Sequence, residues 1–132
     1  MKVIGIAFSD LHLGEYSKFN EDNKRTLNHI RVLYLIKDLC IKYKCPAFFC
    51  GDFMHRPEFI STSLDEIIIE QFEELNRYEE FNIYGISGNH CMPKANTIEH
   101  RSPSHWANLC RRYSFLHNID FSYHDFGKFR VV

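Results

Sequence analysis

Three short motifs hold the residues of this 132-residue chain best suited to chemistry. They are Ser9-Asp10-Leu11-His12, Gly51-Asp52 and Gly88-Asn89-His90. Asp10, His12, Asp52 and Asn89 mix hard oxygen donors with an imidazole. That set suits Mn²⁺, Fe or Zn²⁺ better than Ca²⁺. Two such ions about 3.5–4 Å apart can clamp a phosphate, polarise it and lower the pKa of a bridging water. The residue types therefore point to phosphoester chemistry at a metal centre. A carboxylate touching both ions is the natural core of such a centre, and Asp52 holds the middle motif. His90, beside Asn89, would face the substrate. There an imidazole can stabilise the transition state or protonate a leaving oxygen.

Each motif follows an apolar run: residues 3–8, 47–50 and 83–86. In a parallel α/β sheet the carboxyl ends of the strands open onto one crevice, so three such loops would converge. Taken singly, Asp10 also reads as a loop cap, His12 as a surface histidine and Asn89 as a turn residue. Their order, each after a strand and with room for one helix between, favours the metal centre. The spacing predicts a helix from Lys24 to Tyr43, with Val32, Ile36, Leu39 and Tyr43 as its buried face. Cys45-Pro46 should end it. Ser63 and Glu66 make a capping box for a second helix, whose stripe is Leu64, Ile68, Phe72 and Leu75. A third strand spans 82–87. The alternation implies an α/β fold with parallel strands and right-handed helix crossovers. Further on, 93–103 reads as loop and 104–112 as a short helix with Trp106, Leu109 and Cys110 inward. Residues 119–123 and 128–132 would pair as a hairpin around Asp125-Phe126-Gly127.

Bulk properties fit one globular domain or part of one, with 45% hydrophobic and 25% charged residues. The chain stops at Val131-Val132, which reads as mid-strand, so a domain truncated at its C-terminus is expected. No apolar run could span a bilayer, and no signal-type segment opens the chain. A cytoplasmic protein without a membrane partner is the expectation. Five cysteines without a CxxC pair suggest reduced, buried thiols. The even spacing of Cys40, Cys45 and Cys50 does not match a zinc knuckle. A net charge of −1 leaves no global footprint for nucleic acid. Residues 65–80 carry seven acids against Arg77, the pattern of a solvated helix face. Residues 94–130 are richer in bases, which could meet phosphates or be surface scatter.

The motifs DxH, GD and GNH, in this order, resemble the calcineurin-like metallophosphoesterase superfamily. The resemblance covers essentially the whole chain, but only the first part of that family's domain. It implies the N-terminal part of an α/β/β/α sandwich, two mixed sheets flanked by helices. It implies that Asp10 and His12 bind one divalent ion, Asp52 bridges two and Asn89 binds the second, with His90 catalytic. His55, three residues after Asp52, is similar to a histidine of the nuclease subunit of SbcCD-type DNA repair complexes. That branch implies a DNA exo- or endonuclease with His55 as a second catalytic residue. It also implies a coiled-coil ATPase of the SbcC type as partner and a homodimer; for the two divalent ions Mn²⁺ is the expectation, with Fe or Zn²⁺ as the alternatives. The alternatives are a phosphatase or phosphodiesterase for small molecules or proteins, and a non-catalytic fragment with an incomplete metal site. Two features depart from the family. Cys91 replaces the acid that follows GNH, and no later GHxH pair occurs. His117 and His124 are ligand candidates by residue type alone, while His29, His100 and His105 are expected to be structural or solvated.

Overall fold

Short, continuously apolar runs form strands when both of their faces are covered. Three such runs precede the motifs. The computed structural model describes residues 2–14, 16, 21–55, 61–88, 105–120, 124–127 and 130–131. Strands β1 (Ile6–Phe8), β2 (Ala47–Phe49), β3 (Ile83–Gly85) and β4 (Leu116–Asn118) lie side by side in that order. All pairs are parallel, with Ile6, Ala47, Ile83 and Leu116 in register. Helices α1 (Lys24–Tyr43), α2 (Thr62–Leu75) and α3 (His105–Arg112) fall between successive strands. Sequential parallel order with a helix in each connection is the arrangement that right-handed crossovers produce. The α/β expectation holds. Strand β4 was not foreseen, because Leu116-His117-Asn118 has one apolar residue and no alternation to mark it.

Helix α1 has the expected bounds but a different buried face. Ile30, Leu33, Ile36 and Cys40 are buried, whereas Val32 and Tyr43 are each 42% exposed. The run Val32-Leu33-Tyr34-Leu35-Ile36 is apolar all round, so periodicity offers two stripes one residue apart. Contact with the sheet selects between them. The helix closes at Lys44, which is left-handed (φ 51), and the Cys45 N–H returns to the Cys40 carbonyl at 3.1 Å. Helix α2 buries Leu64, Ile68, Phe72 and Leu75 as expected. Its cap is Ser61, not Ser63. Ser61 has extended backbone and its hydroxyl accepts the Leu64 N–H at 3.4 Å, while Ser63 already lies inside the first turn.

One aromatic core joins the sheet to α2 and α3. Trp106, fully buried, stands 4.8 Å from the Phe49 ring and 5.1 Å from Phe53, and its Nε1–H donates to the Gly85 carbonyl at 3.0 Å. Phe72, Tyr113 and Phe115 extend the cluster. Side chains alternate along a strand, so Phe48 and Tyr84 face the other way. Against them lies Phe126, at 5.6 and 4.9 Å between ring centres. Phe126 follows β5 (His124–Asp125), which pairs antiparallel with β6 (Arg130–Val131). The hairpin thus begins later than the expected 119–123. Ile119 is already used, its N–H extending the β4 ladder to the Gly85 carbonyl.

Cys40 and Cys45 are buried free thiols, Cys110 is half-buried, and Cys50 is exposed just past the end of β2. Burial pushes the Cys40 and Cys110 thiols up to about 12. The acids of α2 stand on its exposed side. Among the described residues, no helix is long and apolar enough to cross a membrane.

Candidate metal centre

The strands end at Phe8 and Phe49, but the pairing of the two chains continues past them. The Cys50 N–H donates to Phe8 O at 2.9 Å, Asp10 to Gly51 O at 3.0 Å, and His12 to Asp52 O at 3.0 Å. Leu13 then donates to Phe53 O at 2.8 Å, and His55 returns to Leu13 O at 2.7 Å. The first two motifs are therefore laced together backbone to backbone. Within this lacing Asp10 (φ 54), His12 (φ 46) and Asp52 (φ 62) all take left-handed backbone. Non-glycine residues rarely do so, although Asp and His are enriched there. Strain of this kind gathers at functional sites.

The result is a convergence of donors. A carboxylate oxygen of Asp10, a ring nitrogen of His12 and a carboxylate oxygen of Asp52 all lie within 4.8 Å of one another. His12 Nε2 stands 3.6 Å from Asp10 Oδ1, while the Ser9 hydroxyl donates to Asp10 Oδ2. Two carboxylates this close repel each other, and a cation between them would offset the repulsion. With the imidazole they make an oxygen–nitrogen set suited to a first-row divalent ion. A model of the calcineurin-like phosphoesterase family matches residues 6–131. The chain belongs to that family. No curated protein matches it. For a calcineurin-like phosphoesterase, a hydrolase with divalent metal ions, Asp10, His12 and Asp52 are the described residues placed to hold them.

The third loop packs directly on the second. A Cβ at Gly88 would lie 2.0 Å from Asp52 Oδ1 and 2.2 Å from the Asp52 nitrogen, so only glycine fits. One at Gly51 would lie 3.1 Å from Gly88 Cα. The loop is also tied from its other side. Asp120, just past β4, accepts the Ser87 N–H at 2.7 Å and the Ser87 hydroxyl at 2.5 Å. In the sequence Asp120 stood out only as one charge among others, since its partner is 33 residues away. Asn89 and His90 follow Gly88 directly and lie, with Cys91 and His100, outside the described residues.

In this phosphoesterase the cleft beside Asp10 and His12 measures about 290 Å³ and is also lined by Tyr16, Arg25, His29 and His55. The His55 ring meets His12 edge-on at 5.7 Å and stacks on Tyr16 at 5.1 Å. The Arg25 guanidinium lies 3.7 Å over the same Tyr16 ring, and the Tyr16 hydroxyl donates to the His12 carbonyl. His29, expected to be structural or solvated, stands edge-on to Tyr16 at 5.7 Å on the cleft wall. Burial, helped by the nearby Arg25 cation, holds the His29 imidazole below its usual pKa. Tyr16 and Arg25 had no motif to mark them. His117 is placed elsewhere. It lies mid-strand in β4, stacked on Tyr84 at 4.4 Å and bonded through Nε2 to Asn82 Oδ1 at 2.7 Å. It serves the sheet and has no part in the cleft. His105 opens α3 and His124 opens β5.

Proposed function

We propose that this calcineurin-like phosphoesterase is a nuclease that hydrolyses DNA phosphodiester bonds with Mn²⁺. The observation that carries the reading is His55. Its ring stands in the same cleft as Asp10 and His12, where a phosphate held at the centre would meet it. Asp10 and His12 would hold one ion, Asp52 would bridge to a second, and Asn89 would complete that second site. Bound ions of this kind polarise a phosphate and lower the pKa of water. The protein's own contribution is positional. The laced loops fix the carboxylates in advance, and Gly88 lets the third loop reach Asp52. His55 and His90 would supply imidazoles to the charge that builds on the phosphate and on the leaving oxygen. A coiled-coil ATPase of the SbcC type is the partner this reading entails, and a homodimer the assembly.

The test is hydrolysis of labelled DNA by the complete gene product with and without Mn²⁺, alongside His90→Ala. The variant should keep metal affinity in calorimetry while losing roughly 10²–10⁴-fold in turnover, the range for one acid–base group. Wild-type protein that leaves DNA intact in every divalent metal yet cleaves phosphomonoesters would exclude the nuclease.

A further inference from the structure

We infer that Tyr16 and His29 are positioning residues for His12, holding its carbonyl and, through the backbone, the direction of its imidazole. The inference rests on the reading of His12 as a metal ligand and is independent of which phosphoester is cleaved. His12 has left-handed backbone, with φ 46°. A residue stays in that region only when its surroundings over-determine it. Its own N–H is held by the Asp52 carbonyl at 3.0 Å, and the peptide that follows by Phe53, whose carbonyl accepts the Leu13 N–H at 2.8 Å. The His12 carbonyl takes its bonds from outside this lacing. It accepts the Tyr16 hydroxyl and a ring N–H of His29. The two donor rings also meet each other edge-on at 5.7 Å. A residue has only two soft backbone dihedrals. With both peptide planes at His12 held, those dihedrals are set, and so is the Cα–Cβ bond that aims the ring. His12 Nε2 then stands 3.6 Å from Asp10 Oδ1.

Helix α1 brings His29 to the loop, and it does not act there alone. Thr26, three residues earlier and so a neighbour on the helix surface, is buried and donates its hydroxyl to the Gly14 carbonyl at 2.8 Å. Two adjacent side chains of α1 therefore grip two carbonyls of the ligand loop. The Leu13 carbonyl between them accepts the His55 N–H instead. A neutral imidazole has one N–H and one lone pair. His29 Nδ1 is buried and has no hydrogen-bond partner among the described residues, so the N–H that meets His12 is on Nε2. A carbonyl oxygen has two lone pairs, and Tyr16 with His29 supplies a donor for each. Outer partners of this kind raise metal affinity because they fix a ligand's orientation before the ion arrives.

Two measurements on the full chain read this without turnover. Titration calorimetry with Mn²⁺ compares variants that remove one donor or both. Tyr16→Phe loses only the hydroxyl and keeps the ring contacts, and His29→Leu keeps bulk without the donor. Each should weaken Mn²⁺ binding a few-fold, since one donor remains. The double variant should lose about 10–100-fold, the range for outer partners of a metal site, and more than the product of the single losses, as expected of residues sharing one partner. His29→Gln, whose amide nitrogen can stand in for Nε2, should recover most of the affinity. A residue that only filled space would not be rescued in this way. The second measurement is a long-range ¹H–¹⁵N spectrum of the metal-free protein, where His29 should be neutral with its proton on Nε2. That spectrum and His29→Gln decide the matter even if the double variant fails to fold. Undiminished Mn²⁺ binding in a folded double variant, His29→Gln as weak as His29→Leu, a His29 proton on Nδ1, or no uptake of Mn²⁺ by wild type would overturn the inference. Wild type that binds Mn²⁺ yet leaves DNA intact would remove the nuclease reading and leave the positioning role standing.

Discussion

At the scale of the residue, Asp52 carries the most. It supplies a donor to the cluster, takes left-handed backbone, and receives the third loop against its side chain. These roles can be separated by substitution. Asparagine tolerates φ > 0 nearly as well as aspartate and keeps the shape, but loses the charge. Asp52→Asn should therefore fold with an unchanged melting temperature and lose at least about tenfold in Mn²⁺ affinity, since even outer partners of a metal site are worth 10–100-fold. Asp52→Ala should lose the metal equally and also cost about 1 kcal/mol or more in backbone strain. Titration calorimetry with Mn²⁺ and thermal melts of both variants distinguish the two terms. Undiminished Mn²⁺ binding in Asp52→Asn would remove Asp52 from the centre.

At the scale of the element, the site belongs to loops, but rigid ones. The β1 and β2 strands are three residues each, and their pairing runs on through the ligand loops by five further backbone bonds. The third loop is held by a glycine contact on one side and Asp120 on the other. Gly88→Ala is the sharpest test of this packing. Its methyl would collide with the Asp52 carboxylate and backbone, a rigid neighbour that cannot swing aside. We expect a loss of about 1–3 kcal/mol, the usual cost of overpacking, together with weaker Mn²⁺ binding. Gly127→Ala should differ in kind. There a Cβ meets nothing within 4 Å, and only the positive φ of 78° opposes it. Denaturant melts and metal titration of both variants give the comparison. If Gly88→Ala bound Mn²⁺ as well as wild type, the contact between the loops would be incidental to the centre.

At the scale of the whole molecule, the cleft and the core lie at different depths of one sheet. Trp106 sits beneath β2 and β3, in contact with Phe49 and Phe53 and bonded to Gly85. Phe49 and Gly85 precede the second and third motifs by a few residues, so the indole underpins the strand ends that carry them. Trp106→Ala should cost about 3–5 kcal/mol, as aromatic truncations in packed cores do. It should also loosen the Gly85 carbonyl. Calorimetry should show a large fall in melting temperature. Amide exchange should show lost protection at Ile119, whose N–H shares that carbonyl. A fall of less than about 1 kcal/mol would place the core elsewhere.

The sequence by itself determined the α/β class, the three strands before the motifs, the bounds of α1, the stripe of α2 and the candidate ligands Asp10, His12 and Asp52. These are local properties. An apolar run, a period of 3.6 and a pair of chemically distinctive residues are all written in neighbouring positions. Tertiary structure decided which stripe of α1 is buried, because the run Val32–Ile36 is apolar on every side and offers two stripes until a sheet is laid against the helix. It decided that His117 stacks in β4 and that His29 faces the cleft, since a lone histidine carries no address. Tyr16, Arg25 and Asp120 became functional candidates only through partners far along the chain or through stacking geometry. A pairwise contact across 33 residues, such as Ser87 with Asp120, leaves no periodic trace in either segment.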